Sequence, residues 1–190
     1  MLTLQVHRPL LSAKWGAFQK KMLMRISNKR DLLEEVKTKL LSQGFKITGQ
    51  EYSQVWGGSL LIDESQAADF AKVYFKDLDQ VYLYDANSNL PLKPKILLVS
   101  PNRSISWQYH LRRAEVWQII LGEVGVVMNT NDEESEMSIK NSGDFIYLQP
   151  GVRHRLVGLK DWGVIAQIWQ HVDASNPSDE NDIIRLQIND

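Results

Sequence analysis

Polar and bulky apolar side chains alternate along "SISWQYH" at residues 104–110. Ser104, Ser106, Gln108 and His110 fall on one side of an extended chain, and Ile105, Trp107 and Tyr109 on the other. The pattern predicts a β-strand with both faces occupied. From about Lys95 onward similar β-prone runs recur as "KILLVS", "SISWQYH", "EVWQIIL", "GVVMNT", "EMSIK", "DFIYLQ", "HRLVGL" and "VIAQIWQ", set apart by Gly, Pro, Asn and Asp turns. Strands spaced by about ten residues predict a mainly β domain, a sandwich or small barrel of jelly-roll type. Ahead of them the pattern is helical. "SNKRDLLEEVKTKLLSQG" predicts an amphipathic helix with a capping Ser27 or Asn28, Asp31 in its first turn, Leu33, Val36 and Leu40 along one face, and Gly44 as terminator. "SQAADFAKVYFKD" predicts a second short helix or an inserted excursion.

The 190 residues are 43% hydrophobic with a formal net charge of -1, which suits one globular domain able to bury its own core. This near-neutral balance gives no electrostatic reason to expect nucleic acid or an acidic membrane surface as partner. No run reaches the roughly 18 apolar residues of a membrane span, and no signal-peptide pattern opens the chain. Cysteine is absent, so disulfides and thiolate metal sites are excluded, and any metal must be held by His, carboxylate or amide oxygen. That suits a reducing compartment, and a cytoplasmic location is expected. Arg8, Lys14, Lys20, Lys21, Arg25, Lys29 and Arg30 open the chain without one acid. Such a start fits an organellar targeting segment or an unstructured extension ahead of Met22 or Met24; few serines and weak periodicity favour the extension. The expected division is an N-terminal extension with one helix over 1–50 and the β domain over 51–190.

The polar side of the 104–110 strand raises a chemical question. Glu115 follows the turn "LRRA" on the next strand, where it projects back toward the interior that Gln108 and His110 face. His154 lies in "QPGVRH", where Pro150 and Gly151 make a turn that sets it at the start of a later strand. Two imidazoles, one carboxylate and one amide oxygen would leave a divalent ion with a net charge of about +1 and open coordination positions. A lone strand histidine is more often structural than a ligand; the weight lies in the combination.

The spacing Gln108-x-His110-x4-Glu115-x6-Gly122, followed by Gly143-x7-Gly151-x2-His154, resembles the paired motifs of the cupin superfamily. Most metal-binding cupins carry His where this chain has Gln108. That replacement, within "SWQYHLRRAEVWQIILG", resembles the cupin domain of type II mannose-6-phosphate isomerases. "VWGG", "PKILLV", "QPGVRHRL" and "ENDIIR" are similar to further motifs of that family. The resemblance covers roughly residues 52 to 190, with an insertion between about Asp63 and Pro94. Gln149, Ile168 and Asn181 depart from the family's Pro, Glu and Asp. No Gly-rich loop of the nucleotidyltransferase domain found in bifunctional relatives occurs.

The resemblance implies a cupin jelly-roll barrel and one divalent metal ion, Zn or Mn, Co, Ni or Fe, on Gln108, His110, Glu115 and His154. It further implies isomerisation of a sugar phosphate, mannose 6-phosphate to fructose 6-phosphate or similar, through an enediol. Arg113 and Arg185 resemble active-site cations suited to a phosphate or an oxyanion, with Lys95 a third. Two alternatives stay open: a cupin isomerase or epimerase of unphosphorylated sugars, and a non-catalytic sugar-binding cupin. Cupins of this type often pair through their sheets. The apolar side of strand 104–110 would permit a homodimer.

Overall fold

The computed structural model describes residues 28–78 and 92–187, so the basic N-terminal stretch and part of the 63–94 insertion lie outside the described residues. Helix α1 (Lys29–Ser42) opens the described chain. Asn28 caps it, its Oδ1 accepting from the Asp31 backbone N–H at 3.0 Å, and Gly44 ends it in a left-handed turn at φ +87. Leu32, Leu33, Val36 and Leu40 form its buried face. Each such burial is worth about 1.5–3 kcal/mol, which holds the helix on the domain more firmly than its intrinsic propensity could.

Strands β1 (Ile47–Glu51) and β2 (Gly57–Ile62) lead through a short 3-10 turn to helix α2 (Ala67–Tyr74). There follow β3 (Lys93–Val99), β4 (Trp107–Tyr109), β5 (Arg113–Leu121), β6 (Glu123–Asn129), β7 (Ser138–Asn141) and β8 (Phe145–Leu148). β9 (Arg153–Gly158), β10 (Gly163–His171) and β11 (Ile184–Gln187) complete the described strands. A six-stranded sheet in the order β1-β2-β3-β10-β5-β8 faces a five-stranded sheet in the order β11-β4-β9-β6-β7. Every pairing is antiparallel. The eight runs read from the sequence are all strands; β1, β2 and β11 add to them. No helix among the described residues is long and apolar enough to cross a membrane.

The larger sheet buries both faces. On its outer side Ile96, Leu98, Val116, Ala166 and Ile168 join the leucines of α1 and the aromatics Phe70, Tyr74 and Phe75 in one core. Phe75, which ends α2, meets Phe145 of β8 with ring centroids 6.1 Å apart, so α2 is an integral cover of the sheet. Between the sheets Leu97, Val99, Trp117, Ile119 and Ile165 pack with Val124, Val126 and Leu156 of the smaller sheet. Gly57 lets β2 lie against β3, since at its φ of +149 a Cβ would sit 1.8 Å from the Leu98 carbonyl oxygen.

Strand 104–110 corrects one expectation. Regular pairing begins at Trp107, preceded by a single bridge from Ser104 to Val157. Ile105 therefore packs inside the barrel, its N–H donating to Leu156 O at 3.0 Å. Trp107 does lie outside, but it is fully buried, its indole N–H donating to Asp132 O at 2.8 Å. Tyr109 carries the Arg153 guanidinium 4.2 Å from its ring centroid. The apolar side invoked for pairing of two chains is thus covered by the chain itself.

Candidate metal centre

Alternation along β5 sends Arg113, Glu115 and Trp117 inward while Val116 faces the helices, and the ladder aligns Gln108 of β4 with His154 of β9. Gly151, at φ +80, makes the turn before β9 and donates its N–H to His110 O at 2.7 Å, tying the two histidine segments together. His110, Glu115 and His154 are all buried, and one ligand atom from each lies within 4.8 Å of the others. They sit beside a cavity of about 530 Å³ lined by Lys95, Ser106, Gln108, Trp117, Gln167 and Arg185, among others. The polar side of strand 104–110 faces this interior, and Ile105 joins it there.

Each imidazole has its tautomer fixed by a backbone carbonyl. His110 Nδ1–H donates to Asp182 O, and His154 Nδ1–H donates to Val152 O at 3.0 Å. Both Nε2 lone pairs are left for another partner. His110 Nε2 lies 3.4 Å from Glu115 Oε1, two electron-rich atoms that repel unless positive charge joins them. Arg113 supplies that charge here: its Nε donates to Glu115 Oε1 at 3.0 Å and its Nη2 to His110 Nε2 at 3.1 Å. Trp117 Nε1 donates to the other Glu115 oxygen at 2.9 Å. His154 Nε2 is buried with no hydrogen-bond partner among the described residues. Three converging donors, one of them orphaned, fit a borderline divalent cation.

Electrostatics keep these groups in ligand form. Burial opposes charge on Glu115, but His110, Arg113, His154 and the Trp117 N–H outweigh it and bring its pKa down to about 2. Burial lowers His154 to about 4, against a partial pull upward from Glu115, and burial likewise lowers His110. An unfolded chain, with its imidazoles at their ordinary value, takes up protons first as pH falls below about 6.5. Stability of the metal-stripped protein is therefore expected to drop as pH goes from 7 to 4.5. Thermal melts in chelator across that range test this, and a flat Tm would contradict it.

The other expected site residues are distributed around this floor. Gln108 lines the cavity next to the cluster, its Oε1 accepting from Ser106 Oγ at 2.6 Å. Arg113 stacks 3.9 Å from the Trp169 ring centroid, inside the cluster and not at its rim. Lys95 stands on the β3 wall with its Nζ 4.0 Å from Glu180. Arg185 lines the cavity from β11 and is exposed at its rim. Sequence reasoning missed Asp182 as an organiser of the site. Its side chain accepts from the N–H groups of Leu111 at 3.1 Å and Arg112 at 2.9 Å and from Ser178 Oγ at 2.8 Å. The motif "ENDIIR" contained it, but only the fold shows what it holds. Gln167 was missed as well, although a glutamine amid the apolar run "VIAQIW" was a visible signal.

Solved structures with a similar fold include oxalate decarboxylase from Bacillus subtilis, with a TM-score of 0.51 at 15% identity, over 73% of this chain and 30% of that one. A cupin 2 conserved barrel domain protein from Salinispora arenicola gives a TM-score of 0.39 at 24% identity, over 48% of this chain and 71% of that one. The chain spans 57%, 44% and 30% of the lengths of the first three solved structures it matches. No curated protein matches. The sequence model described as "Mannose-6-phosphate isomerase C-terminal" matches residues 63–188, a span that holds all of the buried cluster and begins ahead of α2. A cupin barrel with this match over most of its length belongs to the mannose-6-phosphate isomerase C-terminal family.

Proposed function

We propose that the protein is a metal-dependent aldose-ketose isomerase of sugar phosphates, mannose 6-phosphate being the first to try. The observation that carries this is the buried, cation-demanding cluster of His110, Glu115 and His154 beside a cavity whose wall and rim bear Lys95 and Arg185. Those three residues, joined by Gln108, would hold one divalent ion, and what such an ion supplies when bound is Lewis-acid polarisation of a carbonyl. Isomerisation through an enediol removes a proton next to that carbonyl, and the developing oxyanion needs fixed positive charge. Arg113, stacked on Trp169 and bonded to Glu115, provides such charge beside the cluster, its Nη2 giving up His110 Nε2 to the ion. Lys95 and Arg185 suit the phosphate; Arg185 can hold it with two parallel hydrogen bonds. Besides Glu115, the carboxylates lining the cavity are Glu51 and Glu180.

The test is a panel of aldose and ketose phosphates with metal-replete protein, followed by proton NMR in deuterated water. Exchange of the C2 proton with solvent, abolished by chelation and restored by metal, is the expected result. Turnover of free sugars with no preference for phosphorylated ones would move the assignment to an isomerase of unphosphorylated sugars; binding without exchange would make it a sugar-binding cupin. Arg185→Ala should lower kcat/KM by about 10-fold to 100-fold with metal content and Tm unchanged, the size of one charge-assisted contact at an exposed rim. Unchanged kinetics would remove Arg185 from the site.

A further inference from the structure

Strand β10 presents Ile165, Gln167 and Trp169 to the interior. Ile165 belongs to the apolar core and Trp169 carries Arg113, so Gln167 sits at the boundary between core and site. Its ladder partners are Lys95 on β3 and Trp117 on β5. Trp117 in turn bonds Glu115 and meets the His154 ring edge-on, with centroids 5.5 Å apart. Gln167 therefore lies on the cavity wall between Lys95 on one side and Trp117, which bonds the buried cluster, on the other. It is only 6% exposed, and its Oε1 has no hydrogen-bond partner among the described residues. Lys95 does not serve it, because its ammonium is directed to Glu180.

A buried amide oxygen without a donor is costly, and native interiors rarely keep one unless something else completes it. A terminal amide turns readily about χ3, and either end can accept from or donate to a hydroxyl in the lumen. We propose that Gln167 is a specificity-determining residue that hydrogen-bonds a mid-chain hydroxyl of the bound sugar phosphate and so selects polyhydroxylated chains over deoxygenated ones. The assignment of ligand class rests on the proposed function above. With phosphate held toward Lys95 and Arg185 and the carbonyl end at the His110, Glu115 and His154 cluster, the carbons between them pass Gln167. A site that hydrogen-bonds a hydroxyl rejects an analogue lacking it far more strongly than an apolar wall rejects an extra methylene.

The experiment is titration calorimetry of metal-loaded wild type and Gln167→Met with glucitol 6-phosphate and with the same compound lacking its C3 and C4 hydroxyls. Methionine keeps the volume and removes the amide. Wild type should bind the full polyol phosphate at least about 10-fold more tightly than the deoxygenated one. Gln167→Met should lose that discrimination, binding the polyol about 10-fold to 100-fold more weakly. Its Tm should equal or exceed that of wild type, and its metal affinity should be unchanged. Equal discrimination by the two proteins, a variant with lowered Tm and unaltered ligand affinity, or failure of wild type to bind the polyol would each overturn the assignment. Binding with the expected discrimination but no isomerisation of any sugar phosphate would overturn the enzymatic reading alone.

Discussion

His154→Ala is expected to purify folded, with almost no bound metal and, on the proposed function, with turnover of the sugar phosphate reduced by about 1000-fold or more. The residue is fully buried, and its Nδ1–H is committed to Val152 O, so Nε2 is the atom it offers to a metal beside His110 and Glu115. Deleting it leaves one imidazole and one carboxylate from the protein's buried donors, a set that Arg113 already bridges. The fold should survive because, among the described residues, Nε2 bonds nothing and the one side-chain hydrogen bond lost is that at Nδ1. The cost is a small cavity beside Trp117, roughly 1–3 kcal/mol. On the proposed function, the bound ion would supply Lewis-acid polarisation, and its loss would account for the drop in rate. Elemental analysis beside a thermal melt gives the answer, and a folded variant with one metal per chain would remove His154 from the site.

Asp182→Ala should be nearly as damaging from further away. It lies in the segment between β10 and β11, yet its carboxylate receives the backbone N–H groups of Leu111 and Arg112 in the turn that joins His110 to Glu115. Its own carbonyl accepts from His110 Nδ1–H, and Ser178 Oγ braces it from behind. Removing the carboxylate strands two partly buried N–H donors at about 1–3 kcal/mol each, which predicts a loss of about 2–6 kcal/mol and a fall in Tm of roughly 4–24 °C. Groups that orient metal ligands typically account for about 10-fold to 100-fold in metal affinity, and a loss of that size is expected here. Asp182→Asn, which keeps one acceptor oxygen, should fall between. A variant that melts early but binds metal as tightly as wild type would show that Asp182 braces the fold without orienting His110.

The parts of this molecule that were legible in its sequence are those governed by short-range periodicity. Gln108, His110 and Glu115 share an interior because a strand, a turn and a second strand place them there, and Pro150-Gly151 announces the turn before His154. Alternation misled at Ile105, because the chain has no regular pairing until Trp107 and its period of two cannot be extended backward. β1 and β2 were not recognised as strands. Gly49 lies at a bulge in "ITGQE", and "GGSLLI" is buried nearly throughout and shows no alternation. Asp182 meets Leu111 and Arg112 across about 70 residues of chain, and no local pattern encodes so distant a contact.

Val116 points into the helical cover while Glu115 and Trp117 point into the cavity from the same β5 backbone, and β10 and β8 pin that strand from both sides. In evolutionary terms the site is framed as much as it is composed. Deleting one residue within Arg113–Leu121 would exchange the two faces of the strand beyond the deletion, delivering aliphatic side chains to the cavity and polar ones to the helices. Length variation in this lineage should therefore collect at tips such as the acidic 131–136 loop, while β5 accepts substitutions at outward positions and tolerates no change in its count of residues.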